Sequence, residues 1–236
     1  MLRCKLLAIA LVIASFCSVS AQKFLPPVET FSGKKIAYLT MDDGSEMEVF
    51  VDKISRKKGL VEEIKAKGTD GKKVKIKPEQ IKSMYLPQSG WDKFGKNMEF
   101  INDPRQWEDP GAINQDRIKE GYAYFEKSEV MIKKKKETLM MQVLNPTFSK
   151  KVKVYHDPYA QETTSWGVGG FTVAGGDAKS YYVGYNGAAA IKLEKKNYDE
   201  EFVRMFSKCD AIKQKYPKVK WLDFDSHVFD YTVECE

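Results

Sequence analysis

Two Asp-Gly turns constrain this chain more than any other feature. Between Lys35 and Leu86 the sequence places Asp-Asp-Gly at 42–44 and Thr-Asp-Gly at 69–71, each flanked by runs of alternating apolar and charged residues. A glycine at positive φ after an aspartate closes a hairpin, and a period of two marks a strand with one buried face. KKIAYLTM is therefore expected to pair with EMEVFVDKI. GLVEEIKAKG is expected to lead into KKVKIKPEQIKSMYLP, where Val74 and Ile76 face one way and Lys73, Lys75 and Lys77 the other. Ile36, Val49, Val51, Ile64, Val74, Ile76 and Ile81 are the expected inward set. About five short strands in so short a stretch predict a small barrel or a strongly coiled sheet. Many unrelated activities use such a scaffold, so the fold alone specifies none of them.

The amino terminus reads as a secretory signal. Arg3 and Lys5 precede the apolar run Leu6 to Cys17, and Val19-Ser20-Ala21 supplies the small residues of a cleavage site, so residues 1–21 are expected to be removed near Ala21. The run is shorter than the roughly twenty residues of a membrane span. In Ala14-Ser15-Phe16-Cys17 a phenylalanine stands where the bacterial lipoprotein box has a small residue, which disfavours a lipid anchor. Losing Arg3 and Lys5 takes the 39 basic residues to 37 against 33 acidic, a net charge of +4. So mild a balance argues against a dedicated nucleic-acid binder. Cys209 and Cys235 are the cysteines left in the mature chain. In an exported protein such a pair is a disulfide candidate, the alternative being two separate buried thiols.

Beyond Leu86 the pattern divides the chain further. Residues 22–87 are expected to form the small β unit, 88–127 a connection rich in Pro, Gly and Asn, and 128–236 a second β domain with a carboxy-terminal helix. In the connection a helix is predicted from Asn114 to Phe125, capped by Asn114. Lys133 to Lys136 must emerge into solvent as a ribbon or hairpin end, because no strand buries four consecutive lysines. KKVKVYHD is a strand with Val152 and Val154 on one face. SWGVGGFTVAGG and SYYVGYNGAAAIKL are glycine-studded strands with a turn near Gly175-Gly176-Asp177. Gly167 to Thr172 lacks the last glycine of a dinucleotide fingerprint and no Gly-Lys-Ser/Thr follows, so a phosphate loop is not supported. Asn197 to Tyr216 is predicted as one amphipathic helix, with Phe202, Phe206, Cys209, Ile212 and Tyr216 on its buried face.

Candidate chemistry is sparse. If KVKWLDFDSHVFDYTVECE is a strand, Asp223, Asp225 and His227 alternate onto one face and could hold a divalent cation; if it is a helix they separate. Asp-x-Asp here resembles the haloacid-dehalogenase phosphatase motif, but His227 stands where that family has Thr or Val, and its large doubly wound domain has no room after it. His156 and His227 are the two histidines, and neither accompanies a nucleophile elbow or a reactive cysteine. No catalytic residue and no cofactor is therefore assigned.

Two resemblances add to this reading. Lys35 to Leu86, with its order of strand, DDG, strand, strand, TDG, strand and the closing IKPEQIKSMYL, is similar to the SH3-like and Sm-like small barrels. LNPTFSKKVKVYHDP, VGGFTVAGGDAKSYYV and YDEEFVRMFSKC resemble exported proteins of Bacteroidetes-type bacteria, which implies a periplasmic or extracellular place. The expectation is a β-rich α+β protein with a small SH3-like barrel, a second antiparallel β domain and a carboxy-terminal amphipathic helix. Its expected role is non-catalytic binding or structure in the bacterial envelope, with an envelope protein or polymer as partner. No nucleic-acid partner and no membrane span in the mature chain are expected. The alternative is a hydrolase of envelope or external polymers.

Overall fold

The computed structural model describes residues 24–90, 107, 110–160, 166–168, 171–174 and 180–235, for 166–174 the backbone alone. The expected signal at 1–21 and the turn at 175–177 lie outside these residues. The chain is β-rich α+β. Seven strands, β1 (Ile36–Met41), β2 (Glu46–Lys57), β3 (Leu60–Gly68), β4 (Lys73–Ile76), β5 (Ile81–Pro87), β6 (Tyr122–Ile132) and β7 (Lys135–Gln142), form one antiparallel sheet in the order β4-β3-β2-β1-β5-β6-β7. β8 (Val152–His156) follows, then the short hairpin β9 (Trp166–Val168) and β10 (Phe171–Ala174). β11 (Ser180–Tyr185) and β12 (Ile191–Glu194) join β8 in a three-stranded sheet, β12-β11-β8.

Both Asp-Gly turns form as the sequence requires, and by the same hydrogen bonds. Gly44 N–H donates to Met41 O and Met41 N–H to Ser45 O; Gly71 N–H donates to Gly68 O and Gly68 N–H to Lys72 O. The glycines have φ of 84° and 86°, a conformation that costs a side-chain-bearing residue about 1 kcal/mol or more. Asp43 accepts the Ser45 N–H at 2.9 Å, and Asp70 accepts the Lys72 N–H at 3.0 Å. Those bonds hold both carboxyls below their ordinary pKa, the Ser45 hydroxyl adding the largest effect at Asp43. A third tight turn, Lys58-Gly59 at φ 51° and 80°, splits the long run into β2 and β3.

The large sheet curls until β3 approaches β7, but it does not close. The closed SH3-like barrel expected within 22–87 is not formed, because the free edge of β5 continues into β6 and β7. The sheet thus runs through the expected divisions after 87 and 127. Ala37, Leu39, Val49, Val51, Ile64, Ile76, Ile81, Met84 and Phe125 fill the concave side, with Val28 laid against them. Ile36, expected to face inward, does not: Ala37 pairs with Val49 and points inward, so period-two alternation turns Ile36 to the other face.

The convex face carries Tyr85, Tyr122, Val130 and Met141 beneath Tyr155 and Tyr182 of the small sheet. That sheet is tied on by hydrogen bonds from Leu144 N–H to Val154 O, Ala190 N–H to Glu129 O and Met131 N–H to Ala190 O. Its far side packs on helices through Val152, Val154, Val183 and Leu193. The predicted helix at Asn114–Phe125 is shorter than expected, α1 (Gln115–Lys119). Asn114 caps it, accepting from the Arg117 N–H, and Gly121 at φ 86° turns the chain into β6. The helix predicted over Asn197–Tyr216 is broken into α2 (Tyr198–Met205) and α3 (Asp210–Lys215), with extended Cys209 between them. Cys209 is bonded to Cys235, just past α4 (Phe224–Glu234), over a sequence separation of 26. Among the described residues no helix is long and apolar enough to cross a membrane.

Candidate functional site

The site begins with the alternation in KKVKVY. β8 sends Val152 and Val154 into the helical layer, so Lys153 and Tyr155 must point to the opposite face, toward the convex side of the large sheet. There they meet Glu126 of β6. Lys153 Nζ lies 2.7 and 2.9 Å from the two Glu126 carboxylate oxygens, and the Tyr155 hydroxyl donates to one of them at 2.6 Å. Burial, and then the Glu126 charge, pushes both the Tyr155 and Tyr124 hydroxyls up, so each stays a neutral donor across the physiological range. Glu126 is thereby occupied as a pin between the two sheets.

This pin is part of the floor of a cleft of about 730 Å³, within the range of small-ligand pockets. The cleft is lined by β6 from Glu126 to Glu129 and by Lys150, Lys151 and Lys153. The turn after β11, with Asn186 at φ 54° and Gly187 at φ 71°, forms one lip, and Lys208 and Tyr231 form the other. Lys151 Nζ bonds the Thr232 carbonyl at 3.1 Å and also the Cys235 carbonyl, at the negative end of α4, and lies 5.7 Å from the centre of the Tyr231 ring. Lys150 and Lys208 are exposed at the rim. Of the two carboxylates, Glu126 is taken by Lys153, and Glu129 turns to Lys136 at 3.1 Å. Lys127 also borders the cleft, but its ammonium is drawn away to Asp42 and to the Glu79 carbonyl at 2.7 Å. The surface offered to a ligand is cationic, with tyrosine rings beside it.

The residues singled out from sequence lie elsewhere. Asp223 ends a 3-10 turn (Trp221–Asp223), and Asp225 and His227 belong to α4, where two positions are about 200° apart. The strand that would have aligned them is a helix, and they do not converge. His227 is fully buried: its Nδ1 meets the Tyr198 hydroxyl, and the Tyr216 ring packs edge-on at 4.1 Å between centres. Among the described residues no group of three His, Cys, Asp or Glu side chains is placed to hold a metal ion. His156 lies at the end of β8 beside a cavity of about 80 Å³ that also touches Arg56. The cleft residues had a visible signal, the lysine–tyrosine alternation opposite Val152 and Val154. Glu126 had none, because it directly follows a stretch that reads as helix.

No protein-family model, curated protein or solved structure matches this chain.

Proposed function

We propose that this is an exported, non-catalytic binding protein of the bacterial envelope, and that its ligand is an anionic envelope polymer seated in the lysine-lined cleft between the two sheets. The observation that carries the reading is the arrangement of Lys150, Lys151 and Lys208 around one concavity whose two carboxylates, Glu126 and Glu129, are already engaged by Lys153 and Lys136. Ammonium groups of this kind attract carboxylate or phosphate without demanding a single geometry, which suits a repeating polymer. Tyr185 and Tyr231 add flat apolar surface for the C–H face of a sugar ring. The leader-like amino terminus and the Cys209–Cys235 bond support an oxidising compartment.

The test is calorimetric titration of the purified protein with polygalacturonate, polyphosphate and neutral dextran. Binding of at least one polyanion, none of dextran, and a loss of about tenfold or more in the Lys150→Glu/Lys208→Glu double variant are expected. Equal affinity for dextran, or indifference of polyanion binding to the double variant, would refute it.

A further inference from the structure

The curl of the large sheet creates a second concavity, on the side away from the cleft. β7 ends the sheet, and its outer edge pairs with no strand along Lys135–Gln142 among the described residues. Across from it, β4 covers β3 only from Ile64 to Lys67, so Leu60 to Glu63 pair with β2 alone. The two edges border one cavity of about 650 Å³, lined by Leu60, Val61, Leu139 and Met140. One end is closed by the loop after β8: a Cβ on Gly59 would lie 2.3 Å from Pro158 O, so that loop sits directly on the Lys58-Gly59 turn. Beside it Tyr159 borders the cavity and remains 41% exposed.

Strand edges carry rows of N–H and C=O groups that need partners, and an extended peptide satisfies them while sending alternate side chains to one side. The charge of the surroundings selects among peptides. Lys57, Lys58 and Lys77 border the cavity against Glu62 and Glu79, and the turn Lys133-Lys134 leads onto β7 through Lys135, while Lys136 is held by Glu129 and exposed Glu137 follows it. Lysines on an edge repel a second copy of the same edge. The same lysines favour an acidic strand. We propose that β7 accepts an extended acidic segment of a partner protein as an added strand, its apolar side chains entering the cavity beside Tyr159 and its carboxylates meeting Lys57 and Lys58.

The experiment is fluorescence anisotropy of the purified protein with a labelled peptide alternating valine and glutamate. Saturable binding is expected, weakened about tenfold or more by N-methylation of the amides along one edge of the peptide and by Lys57→Glu/Lys58→Glu. The Lys150→Glu/Lys208→Glu variant should bind the peptide unchanged, and a valine–lysine peptide should not bind. The proposal is overturned if the peptide does not bind up to millimolar concentration, or if the N-methylated peptide binds equally well. Displacement by polygalacturonate, or loss in the cleft variant instead of the edge variant, would overturn it too, by moving the peptide to the cleft.

Discussion

Removing the Cys209–Cys235 bond should cost about 3.5 kcal/mol at 25 °C, from the loop-closure entropy of roughly 12 cal/mol/K for a closed loop of this length. The length is the sequence separation of 26, which encloses α3, the 3-10 turn at Trp221–Asp223 and α4. Both cysteines are buried, so alanine at the two positions removes the bond without exposing a new polar group. For a chain of this size the same loss corresponds to a fall in Tm of about 7–14 °C. The assay is urea unfolding of the oxidised protein, the reduced protein and Cys209→Ala/Cys235→Ala, followed by tryptophan fluorescence. Because the bond acts on the unfolded chain, the m-value should rise when it is lost. Unchanged midpoint and slope, or two free thiols by mass in the unreduced protein, would refute the reasoning.

Gly59→Ala should destabilise by at least about 1 kcal/mol more than Gly44→Ala, because both sites have positive φ but only the first would drive a Cβ into Pro158; thermal melts of the two variants decide it. Val49→Asp should abolish folding by placing an unpaired charge in the concave core, whereas exposed Lys75→Glu should change stability by less than about 0.5 kcal/mol. Circular dichroism showing equal tolerance would mean the register is wrong. Burial pushes the Tyr122 and Tyr182 hydroxyls up to about 12. The unfolded chain releases these protons near pH 10 while the folded chain still holds them, so stability should fall as pH rises from about 10 to about 12. Absorbance at 295 nm showing every tyrosine ionising near pH 10 with the fold intact would contradict this.

What the sequence made legible was local. The Asp-Gly turns, the Asn114 cap, the exposed lysine turn at 133–134 and the inward set from Val49 to Ile81 follow from neighbours only a few residues apart. The union of Lys35–Leu86 with β6 and β7 was not legible, because which strand takes the open edge of β5 depends on a partner far along the chain. The break at Cys209 is of the same kind: the aromatic stripe continues in phase, but the bond to Cys235 and the extended backbone there interrupt the helix. Asp223, Asp225 and His227 show the opposite error, where a real period-two spacing sits in a segment whose apolar residues pack as a helix against Tyr198 and Phe202. In the cleft, the lysine–tyrosine face of β8 was written in the alternation, and Glu126 became meaningful only once two sheets were stacked.

The central claim is that the lysine-lined cleft receives an anionic polymer, and backbone amide shifts of ¹⁵N-labelled protein titrated with polygalacturonate and with polyphosphate test it most directly. The claim predicts that at least one of them moves, progressively and saturably, the signals of Lys150, Lys151, Lys153, Gly184 to Ala188 and Lys208, with little change along β3 and β4. Shifts confined to other surfaces, or none from either polymer at concentrations where the calorimetric titration reports binding, would contradict it.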